Sequence, residues 1–148
     1  MDKPYVTIYT DGSWRNTTKK GGWAALIVSG PYWKVISDTT INTTVPRMEL
    51  TSVIKGLQML SMPCRVTIIS DSQLTVNTIN VWLDKWLLNG FKTYKGNSVL
   101  NQDLLMVLHE LKQIHQIEAV WVRAHTKNKN LDSLGNAVVD EFAQMQSR

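Results

Sequence analysis

Pro46-Arg47-Met48-Glu49-Leu50-Thr51-Ser52-Val53-Ile54-Lys55-Gly56-Leu57 is the stretch on which the reading of the fold turns. Its apolar residues Leu50, Val53, Ile54 and Leu57 recur at i, i+3, i+4 and i+7, which lines one face of an α-helix. Proline suits the first turn of such a helix, and Pro63 closes it. Upstream the period is different. Residues 5–11, Tyr-Val-Thr-Ile-Tyr-Thr-Asp, alternate and are β-branched or aromatic, predicting a strand that ends at Asp11, with Gly12-Ser13 as a turn. Gly21-Gly22 opens a second strand running to Val28, and after the Gly30-Pro31 turn residues 32–41 form a third. Three strands with short connections predict an antiparallel meander ahead of the helix.

Downstream, residues 65–71 read as a strand, with Ser72 as N-cap of a helix to about Trp82. Residues 85–99 read as a short helix plus loop, and residues 101–115 as a helix striped by Leu104, Leu105, Leu108 and Leu111. A strand over 118–124 and a helix over 136–146 complete the chain. Strands connected through helices pair in parallel. The first, fourth and fifth strands therefore form a parallel core that the meander extends on one side. The expected fold is α/β, a five-stranded mixed sheet flanked by helices, in one domain over residues 1–148.

Hydrophobic residues make up 43% and charged residues 19%, which excludes wholesale disorder. The single cysteine, Cys64, excludes an internal disulfide and is expected as a buried, inert thiol. With no basic start leading into an apolar segment and no membrane-spanning run, an intracellular, cytoplasmic monomer is the expectation. The formal charge of +4 is only weak support for a polyanionic partner.

Asp11 and Asp71 each close a predicted strand, where α/β sheets gather functional groups. If the two strands are neighbours, the carboxylates lie about 5 Å apart and repel unless a proton or cation intervenes. A hard oxygen pair of this kind suits Mg²⁺. Spacing by itself equally allows two independent strand-end aspartates, Asp-Gly being a common turn dipeptide.

Five motifs narrow the choice: Tyr9-Thr10-Asp11-Gly12-Ser13, Gly21-Gly22-Trp23-Ala24-Ala25, Arg47-Met48-Glu49-Leu50, Ser70-Asp71-Ser72-Gln73, and Asn136 through Asp140-Glu141 with Ala143. In this order, over almost the whole chain, the sequence resembles type 1 ribonuclease H. The resemblance implies a ribonuclease H-like fold and an endonuclease that hydrolyses the RNA strand of RNA–DNA hybrids by a two-metal-ion route. It implies 5′-phosphate and 3′-hydroxyl products, with Mg²⁺ as cofactor (two ions with substrate bound) and Mn²⁺ as an alternative. The family's catalytic, metal-binding carboxylates map onto Asp11, Glu49, Asp71 and Asp140, with Glu49 expected in the first turn of its helix, where a carboxylate also suits the helix dipole. His125 matches the family's mobile loop histidine, a proton shuttle, although its loop is longer than in compact bacterial members and carries Lys127 and Lys129. In length the loop resembles that of some retroviral members. His109 and His115 match no role and are expected on helix surfaces.

For the substrate, the resemblance nominates Gly12, Ser13, Glu49 and Gln73 to read the RNA 2′-hydroxyls, and Thr44 for a DNA phosphate. Val45 and Pro46 stand where bacterial members carry asparagines, and Asn16 lies in the right loop. Trp82, Lys85, Trp86, Phe91, Lys92 and Lys95 resemble the basic protrusion that holds the DNA strand, lysines taking phosphates and aromatics packing on deoxyribose. Packing of the tryptophans within their helix is the competing reading, and Leu87, Leu88 and Asn89 replace residues that are basic in bacterial members. Four carboxylates in family order argue against a catalytically dead hybrid-binding domain or a structural module. The Arg-Met-Glu-Leu helix after a meander does not suit an integrase or transposase.

Overall fold

The computed structural model describes residues 3–93, 95–127 and 130–148. Five strands, β1 (Tyr5–Arg15), β2 (Lys20–Ser29), β3 (Tyr32–Ile41), β4 (Arg65–Ser70) and β5 (Gln116–Trp121), form one sheet in the order β3-β2-β1-β4-β5. β1 pairs antiparallel with β2 and parallel with β4, while β5 extends the parallel side. This is the expected mixed α/β sheet.

Helix α1 (Val45–Gln58) begins where Thr44 caps it, its hydroxyl accepting the Arg47 N–H at 3.3 Å. Its apolar stripe, Leu50, Val53, Ile54 and Leu57, is buried against one face of the sheet with Val6, Ile8 and Ile68. Helix α4 (Gln102–Ile114) adds Leu105, Leu108 and Leu111 to the same core. Burying side chains of this size contributes roughly 1.5–3 kcal/mol each, which makes this the principal core. Helix α5 (Leu131–Ser147) covers the opposite face, where Val139 and Ala143 meet Tyr9, Ala24, Leu26 and Ile69. The approach is close: a Cβ at Gly22 would collide with the Ala143 carbonyl oxygen, so only glycine admits α5 here.

Several boundaries depart from expectation. β1 does not end at Asp11 but runs to Arg15, because β2 keeps pairing with it out to Arg15↔Lys20, so Gly12 and Ser13 are strand residues. Glu49 sits one residue deeper in α1 than expected, just past the first turn, since the helix starts at Val45 with Thr44 as its cap and not at Pro46. Its helix-dipole role is correspondingly weak, because that effect fades beyond the first turn. Ser72 caps α2 (Gln73–Asn77) as expected, but the helix then widens into a π-helical turn (Thr78–Trp82) before α3 (Leu83–Leu88). α5 starts at Leu131, capped by Asn130, five residues ahead of the predicted Asn136. β5 lies at 116–121 and so starts and stops earlier than predicted.

Cys64 is buried, as expected. His115 is not on a helix surface: it caps the end of α4, is 5% exposed, and its Nδ1 accepts the Cys64 N–H at 3.1 Å. Pairing of β4 with β5 from Arg65↔Gln116 onward brings the two segments together.

Candidate active site

β1 separates from β4 at its carboxyl end. Their parallel register runs from Tyr5↔Arg65 to Tyr9↔Ile69 and then stops, while β1 continues alongside β2. Such a switch point opens a crevice beyond the strand ends. Asp11 enters it from β1 and Asp71 from the residue after β4. Glu49 arrives from α1, which is seated against β1 at Gly12: a Cβ there would lie 2.5 Å from the Glu49 amide nitrogen and 2.7 Å from the Met48 carbonyl carbon. The bare glycine thus sets how close two of the acids come. Asp140 projects from α5.

Asp11, Glu49 and Asp71 each offer a carboxylate oxygen within 4.8 Å of the others. Asp140 lines the same open cleft of about 390 Å³, although it is not one of that tight trio. Asp11 and Glu49 are each 5% exposed. Burial, followed by the charges of Glu49 and Asp71, pushes the Asp11 carboxyl up to about 10, and Asp140 adds to the rise. Burial and then Asp71 raise Glu49 to about 8, against opposing hydrogen bonds from Asp11 and the Gly12 amide. Asp71 is raised by burial; an Asn136 hydrogen bond and the nearby His125 oppose this, and Asp140 reinforces it.

The support around the acids is polar and specific. Gly12 N–H donates to Asp11 Oδ1 at 2.9 Å, Asn136 Nδ2 to Asp71 Oδ2 at 3.4 Å, and Gln144 Nε2 to Asp140 Oδ2 at 3.0 Å. Trp121 Nε1–H holds the Asp71 carbonyl at 3.0 Å. Glu49 Oε2 is buried with no protein partner. A buried carboxylate oxygen without a donor is costly; beside two more carboxylates it is an oxygen donor set that fits a hard divalent cation.

The other predicted site residues are scattered around this cleft. Gly12 and Ser13 line it, and Ser13 Oγ lies 3.3 Å from Ser147 Oγ. Gln73 is exposed at the start of α2, and Thr44 is exposed and occupied as the α1 cap. His125 is exposed, with a left-handed backbone (φ 51°) in the segment before α5. Lys127 is exposed, and Lys129 lies outside the described residues. Trp82 and Trp86 stack with centroids 6.0 Å apart, and the Lys85 ammonium stands 5.3 Å from the Trp82 ring. Trp86 and Phe91 also pack on the principal core, whereas Lys92 and Lys95 are exposed, so the cluster is part packing and part basic surface.

Sequence reasoning missed Gln144 and the supporting role of Asn136. Gln144 stands four residues from Asp140, the helical spacing at which side chains meet, and that spacing was the available signal; the partner of Asn136, Asp71, is sixty-five residues away, and no local signal marked it. Arg15 in the cleft was also missed, since the strand was ended too early.

A family model for RNase H matches residues 3–148. The chain is 39% identical over 140 residues to the ribonuclease H of Hydrogenovibrio crunogenus, covering 93% of this chain and 97% of that protein. It is 40% identical over 144 residues to the ribonuclease H of Wolbachia pipientis wMel, covering 95% and 99%. Among solved structures it resembles LC9-RNase H1, described as a type 1 RNase H with the type 2 active-site motif (TM-score 0.83, 23% identity, 99% of this chain and 74% of that one). The PFV RNase H domain is likewise similar (TM-score 0.83, 23% identity, 99% and 96%). At that identity the two structures speak for the fold.

Proposed function

The chain belongs to the ribonuclease H family of nucleases, and from that premise we propose that it cleaves the RNA strand of RNA–DNA hybrids internally, leaving 5′-phosphate and 3′-hydroxyl ends. The observation that carries this reading is the convergence of Asp11, Glu49, Asp71 and Asp140 in one cleft, with Glu49 Oε2 buried and unpartnered. Two Mg²⁺ ions held there would supply an activated water and stabilise the leaving 3′-oxygen of an in-line displacement.

The chain's own residues do the positioning. Asp11 from β1, Asp71 from the residue after β4 and Glu49 from α1, whose carboxylate oxygens lie within 4.8 Å of one another, would hold the metal, with Asp140 beside them in the cleft. Asn136 and the Trp121 indole fix the Asp71 side chain and backbone, while Gln144 orients Asp140. Glu49, next to Gly12, offers a carboxylate on the side from which Gly12 and Ser13 would meet the RNA 2′-hydroxyls. His125, whose charge favours the ionised form of Asp71, would shuttle a proton to the departing oxygen. Lys85, Lys92 and Lys95 present cations to the DNA strand, and Gln73 and Thr44 complete the proposed contacts.

The test is to incubate end-labelled RNA–DNA hybrid, double-stranded RNA and double-stranded DNA with the protein, with Mg²⁺ or with chelator. Cleavage confined to the hybrid, dependent on Mg²⁺ and ending in 3′-hydroxyl groups, is expected. Equal cleavage of double-stranded RNA would overturn the substrate assignment, and 3′-phosphate ends would overturn the chemistry.

A further inference from the structure

Arg15 is the residue in the cleft that the carboxylate chemistry leaves unexplained. Side chains alternate along a strand, so Asp11, Ser13 and Arg15 project from the same face of β1, the face covered by α5. At about 3.3 Å per residue, Arg15 stands roughly 13 Å along the strand from Asp11. Its backbone is held firmly: β1 pairs Arg15 with Lys20, and the Arg15 carbonyl accepts the Lys19 N–H at 2.9 Å. Its side chain is not. Nε is buried with no hydrogen-bond partner, and among the described residues no ion pair involves Arg15, although four carboxylates line the same cleft.

Among the described residues lining the cleft, Arg15 is the only cation. A polynucleotide strand entering a cleft with four acids brings a phosphate at every nucleotide. Metal ions held by the acids would offset the charge of the scissile phosphate, whereas the next phosphate along the strand would lie beyond them. A guanidinium is permanently charged and presents a planar fork of donors that matches two phosphate oxygens. We infer that Arg15 binds a phosphate of the cleaved strand flanking the scissile one and thereby sets substrate affinity in the cleft. This rests on the proposed hydrolysis of hybrids. An alternative role, offsetting the repulsion of the acids, would act on metal affinity and leave the strand untouched.

The two roles separate in one set of measurements on wild type, Arg15→Ala, Arg15→Gln and Arg15→Lys. Hybrid cleavage is followed as kcat and KM over a range of salt, and Mg²⁺ binding without substrate is followed by calorimetry. Losing a charge-assisted phosphate contact should raise KM about 10-fold in the alanine and glutamine variants, with kcat little changed. The slope of log KM against log salt should shrink by roughly 0.7–0.9, one phosphate's worth of counterions. Lysine should restore the slope but only part of the affinity, because it lacks the fork. Mg²⁺ affinity should stay at the wild-type value. Should the alanine variant fail to fold by circular dichroism, the glutamine and lysine variants decide. Wild-type KM and salt slope in a folded variant overturn the inference, as does tighter Mg²⁺ binding with KM unchanged. If wild-type protein itself cleaves no hybrid, the proposed function fails and this inference with it; if wild type cleaves and the variants match it, this inference alone fails.

Discussion

Asp11 and Glu49 are poised against the fold that holds them. Both are buried with folded-state pKa values raised above the ordinary carboxylate range, first by loss of water and then by neighbouring acids. A raised pKa means that the folded chain holds the proton more tightly than the unfolded chain does. The contribution to stability is therefore complete below the unfolded values and is lost as pH rises through the folded ones, about 8 for Glu49 and about 10 for Asp11. In the metal-free protein, Asp11→Asn should then melt higher than wild type at pH 8, because the wild-type carboxyl must take up a proton on folding and the amide need not. The advantage should vanish near pH 4, where the wild-type acids are protonated. Added Mg²⁺ should raise the wild-type melting temperature more than that of the variant, and hybrid cleavage by the variant should be abolished. Calorimetry with chelator and with Mg²⁺, at both pH values, checks this. A lower melting temperature for the metal-free variant at pH 8 would mean that Asp11 holds the fold together.

The segment from the π-helical turn through α3 shows how one element divides its labour. Leu83 is fully buried and Trp86 packs on the core, so the helix is anchored from within. Trp82 is 41% exposed beneath the Lys85 ammonium, and beyond α3 Lys92, bridged antiparallel to Ser98, and Lys95 are exposed. Replacing Lys85, Lys92 and Lys95 together by alanine removes charge without touching the anchor. Melting temperature should therefore hold, while KM for the hybrid rises and its salt dependence flattens, because fewer counterions are released on binding. The maximal rate should change little. Unchanged KM and salt slope would reduce the cluster to ordinary surface. Leu87, Leu88 and Asn89, uncharged where basic residues would add phosphate contacts, limit how large the effect can be.

Across the molecule, the two faces of the sheet carry different work: the face under α1 and α4 holds the principal core, and the face under α5 leads to the cleft. His115 is a joint within the first of these. Its Nδ1 accepts the Cys64 amide hydrogen, which requires an unprotonated Nδ1, and burial, reinforced by the Lys3 charge, depresses its pKa. A depressed folded-state value contributes stability that is complete above the unfolded pKa, about 6.5, and is lost as pH falls. His115→Asn keeps an acceptor near Nδ1 and cannot titrate. Wild type should accordingly lose melting temperature relative to this variant between pH 7 and pH 5. Parallel curves for the two proteins over that interval would mean that the imidazole has another proton acceptor or reaches water.

Much of this architecture is legible along the chain because it is written in local periodicity. The switch from alternation before Asn42 to the 3,4 spacing of Leu50, Val53, Ile54 and Leu57 sets strands against helix, and the order of elements then forces β1, β4 and β5 to run parallel. The four acids were legible from their motifs, and the structure draws them to one cleft. What could not be read depends on partners distant in sequence. β1 outruns Asp11 because β2 still offers hydrogen bonds there, and the resulting strand carries Arg15 to the cleft rim. His115 is buried because the amide it accepts belongs to Cys64, fifty-one residues away. Asp11 and Glu49 owe their raised pKa values to burial and to each other, brought together at Gly12. Periodicity records which face of an element is apolar; it carries no record of which strand stays paired, or of which polar group finds a partner once those faces close.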